Sequence, residues 1–153
     1  MKEISLRTGE TAYVDDEDYD AINKHKWYAE KSHGNVYAKT LINGRYQSMH
    51  RLITNCPNGL QIDHFNHNGL DNQKINLRIC NANQNQANRK TSKNNSSGFK
   101  GVYYAKDRGY FRVTITNNNI HIKFGKFNNP VDAAKEYDKK AREIFGEYAK
   151  TNF

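Results

Sequence analysis

The chain has little cysteine, little proline and no long apolar run. Of its 153 residues, two are cysteine, two are proline and 36% are hydrophobic. Cys56 and Cys80 are too few for a disulfide framework or a four-cysteine zinc site, so we interpret them as ordinary reduced thiols. No apolar run approaches the roughly 18 residues of a membrane span, and residues 1–7 hold no apolar stretch of signal-peptide length. We therefore expect neither a membrane protein nor a Sec-exported protein.

Aromatic residues and asparagines set this chain apart from a disordered one. Low hydrophobicity is typical of disorder, but disordered chains are poor in aromatics, and here 12% of the residues are Phe, Trp or Tyr. There are 21 asparagines, many of them between Asn66 and Asn95. Such a tract is interpreted in three ways: low-complexity filler, the result of AT-rich coding DNA, or a loop-rich site that uses amide oxygens as ligands.

The charge is positive and unevenly distributed. Lys plus Arg number 24 and Asp plus Glu number 16, which gives a formal net charge of +8. By segment, the net charge is 0 over residues 1–60, +3 over residues 61–93 and +5 over residues 94–153. This balance favours a polyanionic partner, most simply nucleic acid, whose footprint lies mainly beyond residue 60.

The local patterns of the first 90 residues predict short strands and helices. Hydrophobic alternation and turn residues, among them the pair Asn43-Gly44, mark the strands. An acidic first turn marks the first helix. The expected strands are Ile4–Arg7, Thr11–Val14, Trp27–Ala29, Val36–Ile42, Tyr46–Ile53, Leu60–His64 and Asn76–Cys80, and the expected helices are Asp16–Lys24 and Ala82–Arg89.

The last part of the chain predicts a second, separate module. Residues 91–97 are polar and are interpreted as a linker. Strands are expected over Phe99–Lys106, Tyr110–Thr116 and Ile120–Phe124, with Ile120, Ile122 and Phe124 facing inward. A helix is expected after Asn129 as N-cap and Pro130 as first helical residue, ending at Gly146. The fold class is therefore α+β, and the second module is a three-stranded antiparallel sheet backed by one helix.

A set of polar residues in the middle of the chain has the composition of a hydrolytic site. Asp63 and His64 are adjacent at a strand end, so their side chains point to opposite sides. Asn76 follows 12 residues after His64, and Asn85 another 9 later. Asp63 and Asn85 offer oxygen ligands, which suit magnesium or manganese. A neutral His64, oriented by Asn76, could take a proton from a water that attacks a phosphodiester. The alternative is a strand-end Asp-His pair with no metal.

These residues resemble a known enzyme family. The set Asp63-His64, Asn76 and Asn85 is similar to the active site of HNH endonucleases of the His-Asn-Asn variant, which have a ββα-metal fold. The segments Met49–Ile53 and Leu70–Arg78 add to the resemblance. It implies that Asp63 and Asn85 hold one divalent cation, that His64 is the general base and that Asn76 holds His64. Asn81, Asn83 and Asn88 are rivals of Asn85.

The C-terminal residues resemble a different family. Gly98–Val102, Phe111–Ile115, Phe124–Phe127, the stretch from Ala133 to Asp138 and the chain end are similar to an ethylene-response-factor (Apetala-type) DNA-binding domain. That resemblance implies that the sheet binds the DNA major groove, through Tyr103, Lys106, Arg108, Arg112, Thr114, Thr116, His121 and Lys123. The family usually presents more arginine and tryptophan here, and Ala105 stands where a basic residue is common, so a target sequence does not follow.

Several other residues have two interpretations. Arg78, Arg89 and Lys90 could contact phosphates beside the cut or form a solvated basic surface. His50 is interpreted as structural, with a place near the phosphate as the alternative. His67 is interpreted as a solvated loop residue, with substrate contact as the alternative.

The sequence as a whole predicts a two-module, metal-dependent DNA endonuclease of the homing type. Residues 1–90 form the HNH module, with its core over residues 49–90, and residues 98–153 form the DNA-binding module. We expect one magnesium or manganese ion, double-stranded DNA as partner, a monomer or weak dimer, and a place in the cytoplasm of a bacterium or a virus-infected cell. The rivals are a DNA-binding regulator with an inactive HNH site and an RNA-directed protein, for which Tyr103 and Tyr110 would stack bases. Nicking and double-strand cutting both remain open.

Overall fold

The computed structural model describes residues 1–32, 34–92 and 94–153. It confirms an α+β chain of small antiparallel sheets and four α-helices in those ranges. The strands are β1 (Lys2–Ser5), β2 (Thr11–Val14), β3 (Tyr28–Ser32), β4 (Asn35–Ile42), β5 (Arg45–Ser48), β6 (Gln61–His64), β7 (Leu77–Cys80), β8 (Val102–Ala105), β9 (Tyr110–Asn117) and β10 (Ile120–Phe127). The α-helices are α1 (Asp16–Asn23), α2 (Met49–Thr54), α3 (Ala82–Ala87) and α4 (Pro130–Phe145).

The chain divides into two compact units, a first unit of Met1–Asn81 and a second unit of Ala82–Phe153. This boundary precedes the predicted linker because α3 packs in the second unit, where Ala87 joins the core. Residues of the predicted linker also hydrogen-bond within that unit: Asn95 Nδ2 donates to Phe99 O at 2.7 Å and Ser97 Oγ to Val102 O at 2.8 Å. Lys93, inside that linker, lies outside the described residues.

The first unit contains three antiparallel sheets, β1-β2, β3-β4-β5 and β6-β7. Its core surrounds the only tryptophan of the chain, Trp27, whose Nε1 donates to Ile22 O at 2.8 Å. The core consists of Ile4, Leu6, Ala12, Val14, Ile22, Trp27, Ala38 and Met49. Burial of these apolar side chains provides most of the driving force for folding the unit.

The prediction of a strand over Tyr46–Ile53 is wrong in its second half. The strand β5 ends at Ser48, and Met49–Thr54 is the helix α2. Tertiary contacts decide this, because the helix buries Met49 in the core, and Arg51 Nη2 donates to the carbonyl oxygens of Cys56 and Pro57 at 3.2 and 3.1 Å. Local hydrophobic pattern alone does not distinguish such a short helix from a strand.

The second unit has the predicted three-stranded antiparallel sheet, in the order β10-β9-β8, with α4 packed on it. Asn129 caps α4, its side chain accepting from Val131 N at 2.8 Å, and Gly146 ends the helix, as predicted. Tyr137 of α4 lies directly over Gly101. A Cβ at Gly101, whose φ is +71°, would approach the Tyr137 ring to 2.1 Å, so only glycine fits there.

Ile120, expected to face inward with Ile122 and Phe124, shares their face of the sheet in the regular register but is not buried. Ile120 is 66% exposed, whereas Ile122 and Phe124 are half-buried. The reason is position, since Ile120 follows the turn residues Asn118 and Asn119, both with positive φ, at the tip of the β9-β10 hairpin. In the described part of the chain, the helices lack the combination of length and apolar character that crossing a membrane requires.

Candidate active site and nucleic-acid interface

The residues expected to be catalytic, His64 and Asn76, flank the loop between β6 and β7 in the first unit. Asp63 and His64 are the last two residues of β6, and each is only 5% exposed. The register pairs Asp63 with Arg78 and His64 with Leu77. Cross-strand partners share a face of the sheet. The hairpin therefore places a carboxylate beside a guanidinium and turns the neighbouring imidazole to the other face.

Asp63 and Arg78 form a mostly buried ion pair. Arg78 Nη2 donates to Asp63 Oδ2, and both side chains are largely buried. The Arg78 guanidinium also lies 4.8 Å from the centroid of the Phe65 ring. The ring and the carboxylate together fix Arg78 against the hairpin. The sequence interpretation of Arg78 as a phosphate contact or a solvated cation did not include this pairing.

His64 is packed among aromatic rings. Its ring centroid lies 5.2 Å from that of His50 and 5.7 Å from that of Tyr37. Burial lowers the pKa of His64, while a hydrogen bond with the Asn72 side chain and the carboxylates of Asp63 and Asp71 act in the opposite direction. Because desolvation outweighs these contacts, the imidazole is neutral at physiological pH. A neutral imidazole is the form that can accept a proton.

His50 is the second histidine of this group. It is the second residue of α2 and packs edge-on against both Tyr37 and His64. Burial is the main cause that lowers the pKa of His50 to about 3, and the positive charges of Arg51 and Lys39 act in the same direction. This packing agrees with the structural interpretation of His50.

Asn76 organises the loop that follows β6. It is buried, its Oδ1 accepts from Asn66 N at 2.9 Å, and its Nδ2 donates to Asp71 O at 2.7 Å. Its backbone carbonyl accepts from Phe65 N at 2.9 Å. The Asn76 side chain thus ties the start and the middle of the loop that leaves His64 to the point where the loop meets β7.

Asn72 is the partner of His64 that sequence reasoning missed. It is 0% exposed, its Nδ2 donates to Leu70 O at 3.1 Å, and its backbone N donates to Tyr13 O at 2.7 Å. These bonds fix the Asn72 amide. Its hydrogen bond with His64 favours the charged form of the imidazole and so acts to raise the pKa of His64. The Asn-rich tract was the available signal, but its spacing does not distinguish Asn72 from its neighbours.

His67 lies in the same loop and is half-buried, with a left-handed φ of 62°. Its backbone N donates to His64 O at 2.9 Å, and its carbonyl accepts from Asn35 Nδ2 at 3.2 Å. The residue therefore belongs to the ordered surroundings of His64, rather than to a fully solvated loop.

The donors expected to hold a metal belong to different units. Asp63 lies in the first unit, whereas Asn85 lies half-buried on α3 of the second unit, followed by exposed Arg89 and Lys90. In the described ranges, no group of three or more His, Cys, Asp or Glu side chains is placed to hold a metal ion. A magnesium site does not need one, since Mg²⁺ keeps several waters and takes one or two protein carboxylates. Within the first unit, the Asp63 carboxylate is an oxygen donor of this kind.

The second unit presents the residues expected to contact DNA on one face of its sheet. The register pairs Tyr103 with Arg112. It also pairs each β9 threonine of this set with a β10 residue, Thr114 with Lys123 and Thr116 with His121. All six side chains therefore share one face, opposite the face that α4 covers. Lys106 and Arg108 are exposed in the β8-β9 turn.

Comparison with known proteins identifies the family of this chain. An uncharacterized HNH endonuclease of Acanthamoeba polyphaga mimivirus is 31% identical over 150 residues, which cover 94% of this chain and 75% of that protein. Protein 3.8 of Escherichia phage T7 is 32% identical over 94 residues, which cover 61% of this chain and 77% of that protein. No protein-family model and no solved structure matches the chain. The chain belongs to the HNH endonuclease family.

Proposed function

We propose that this protein is a metal-dependent DNA endonuclease of the homing type, which hydrolyses phosphodiester bonds with its first unit and holds duplex DNA with the sheet of its second unit. The observation that carries the proposal is the buried Asp63-His64 pair, in which the histidine is neutral beside a carboxylate paired with Arg78. Membership of the HNH endonuclease family supports the same reaction.

The first unit supplies the chemistry of proton transfer. His64 accepts a proton from the attacking water, because its buried imidazole is in the basic form at neutral pH. The Asn72 hydrogen bond stabilises the imidazolium that this step produces. Asn76 ties the loop behind His64 and so limits the movement of the base.

Asp63 would supply a carboxylate oxygen to one magnesium or manganese ion, and the family resemblance implies Asn85 as the second donor. A bound ion supplies charge neutralisation at the scissile phosphate. Arg78 orients the Asp63 carboxylate through Oδ2. A carboxylate accepts at about four lone-pair positions, so pairing with Arg78 is compatible with metal binding.

The second unit supplies affinity for the DNA. Three basic side chains, Arg112, His121 and Lys123, lie on this sheet face. Their cross-strand partners are Tyr103, Thr116 and Thr114, which carry hydroxyl groups, and no carboxylate belongs to these pairs. Basic side chains on an exposed sheet gain affinity through the phosphates and read the major groove through base edges. The net charge of +5 over residues 94–153 agrees with this role.

A plasmid assay tests the proposal. Supercoiled DNA is incubated with wild type, His64→Ala or Asp63→Asn, in magnesium, manganese or excess chelator. The expected result is nicked or linear product only for wild type and only with metal, at a rate at least about 100-fold above either variant. His25→Gln, outside the site, is the matched control and should retain cleavage. Metal-independent cleavage, or equal cleavage by His64→Ala, would refute the mechanism.

A DNA-binding regulator without catalysis is the second candidate. The basic sheet face favours it independently of the Asp63-His64 pair. Salt-sensitive binding to duplex DNA, with no cleavage by wild type across a panel of genomic fragments, would favour the regulator over the nuclease.

A further inference from the structure

A cluster of cations surrounds Tyr110 on the sheet face of the second unit. Arg112 Nη2 donates to the Tyr110 hydroxyl at 2.9 Å, and its guanidinium carbon lies 5.3 Å from the ring centroid. Lys126 Nζ lies 5.5 Å from the same centroid. Arg108 also hydrogen-bonds with the Tyr110 hydroxyl. One tyrosine therefore gathers three cationic side chains from β9, β10 and the β8-β9 turn.

An irregularity in β10 brings Lys126 into this cluster. Phe124 pairs with Val113 and Phe127 pairs with Phe111, so two residues of β10 oppose Arg112 alone. Both phenylalanines pack against the core, although regular alternation would put positions 124 and 127 on opposite faces. The extra residue of this β-bulge turns Lys126 to the face that carries Lys123.

Gly125 makes the bulge possible. Its φ is +57°, and a Cβ there would lie 2.4 Å from the Phe127 ring. A side chain at this position would be strained and would displace the phenylalanine. The bulge is therefore specified by the sequence Phe-Gly-Lys-Phe at positions 124–127, and with it the position of Lys126.

We infer that Arg108, Arg112 and Lys126, gathered by Tyr110, form a binding site for a phosphodiester group of the nucleic-acid backbone. The inference rests on the DNA-binding role proposed above for the second unit and goes beyond it by naming the contact. Arg112 and Lys126 line a shallow depression with Lys123, Phe124 and Gly125. Three of these five residues, Arg112, Lys123 and Lys126, are cationic, which suits a small tetrahedral anion.

The charges around the cluster favour an anion. The carboxylate in contact with it is Asp107, whose Oδ2 lies 3.3 Å from Arg108 Nε. A guanidinium has five N–H donors, and the hydrogen bond from Arg112 to the Tyr110 hydroxyl uses one of them, which leaves donors for an anion. Tyr110 holds Arg112 through a hydrogen bond and a cation–π contact, so ordering this side chain costs less entropy when the phosphate binds.

The test measures duplex-DNA binding by the full chain over a series of salt concentrations, in chelator so that no cleavage occurs. Lys126→Gln is expected to weaken binding by about 3- to 10-fold and to lower the salt slope by about one unit, as for one lost phosphate contact. Lys135→Gln, on an exposed position of α4, makes the same change in net charge. This control should leave the slope as in wild type. Tyr110→Phe retains the ring and the net charge, and should weaken binding by about 2- to 5-fold.

The outcomes separate this site from the wider function. If wild type binds the duplex and Lys126→Gln has the same affinity and salt slope as Lys135→Gln, the phosphate site is overturned while DNA binding stands. If wild type does not bind duplex DNA, both proposals fail. If Lys126→Gln shows the expected loss but wild type never cleaves with metal, the site stands and the nuclease fails.

A competition arm tests whether the DNA backbone occupies the cluster. Inorganic phosphate and chloride are added at matched ionic strength to the wild-type complex. Phosphate is expected to displace DNA from wild type more strongly than chloride does, because free phosphate and the DNA backbone then compete for the same cations. This excess should be lost in Lys126→Gln. Equal displacement by the two salts from wild type would show that the DNA backbone does not occupy the cluster and would overturn the assignment.

Discussion

Arg78 lies directly opposite Asp63 in the β6-β7 pair and donates a hydrogen bond to its Oδ2. The two side chains are mostly buried, and each is the other's counter-charge. Removing one partner of such a pair leaves a charge without compensation in a medium of low polarity. The pair therefore has a structural role in addition to any part that Asp63 plays in binding a cation.

The first prediction concerns this pair. Arg78→Ala should lower the free energy of unfolding by about 3–5 kcal/mol, because it strands the buried Asp63 carboxylate. Urea unfolding followed by fluorescence of Trp27, which lies in the core of the same unit, measures the change. Arg45→Ala, at an exposed position of β5, should change stability by less than about 0.5 kcal/mol. Similar losses for the two variants would contradict the ion-pair account.

The second prediction concerns the loop behind His64. Asn76→Ala removes the acceptor of Asn66 N and the donor to Asp71 O, both part-buried. We expect a stability loss of about 2–3 kcal/mol, since both backbone groups lose their partner. Trp27 fluorescence during urea unfolding measures it, and Asn58→Ala, exposed in the loop after α2, is the control. An Asn76→Ala protein as stable as the control would show that the loop is held by other contacts.

The third prediction concerns pH. The pKa of His50 is lowered from 6.5 to about 3 in the folded state, chiefly by burial. The unfolded chain therefore binds a proton to this group as pH falls through 6.5, while the folded chain does not until about pH 3. Stability is fully present above pH 6.5 and is lost as pH falls between these values. The contribution of this one group approaches about 1.4 kcal/mol per pH unit.

The His50→Gln variant tests the sign of this dependence. It should flatten the decline in unfolding free energy on the acid side of neutrality, while the part due to His64 remains. Tyr37→Phe retains both histidines and the ring that packs on them, so it should keep the wild-type slope. The measurement is urea unfolding at a series of pH values. A His50→Gln slope equal to that of wild type would rule out His50 as a source of acid sensitivity.

The fourth prediction concerns the end of the chain. Asp138 on α4 is 2% exposed and accepts from Asn152 N, Asn152 Nδ2 and Phe153 N at 2.8–2.9 Å. Asp138→Asn removes the charge and sets an amide donor against these donors, so we expect a loss of about 2–3 kcal/mol. Hydrogen exchange of the α4 amides should become correspondingly faster. Glu143→Gln, an exposed partner of Lys140, should have little effect, and equal protection in both variants would contradict the prediction.

Sequence reasoning succeeded where the information is local. The alternation of Phe111, Val113 and Ile115 predicts β9, and the Asn129-Pro130 start and Gly146 end predict α4. Each of these signals depends on residues within one or two turns of the chain. The same holds for the adjacent Asp63 and His64, which the structure places at the end of β6 as expected.

The remaining features depend on residues far apart in the chain. The helix α2 forms because Met49 fills the first core, and Asn72 reaches His64 through a loop that Asn76 ties. The Arg78 partner follows from strand register, which a local pattern does not specify.

The amino-acid sequence specifies which chemical groups the protein carries, and its local signals specify elements such as β9 and α4. Which of these groups meet depends on the folded chain: Asp63 with Arg78, His64 with Asn72, and Lys126 with Tyr110. Covalent spacing fixes neighbours along one element. Register, bulges and core packing fix neighbours between elements, and these form together only when the whole unit folds.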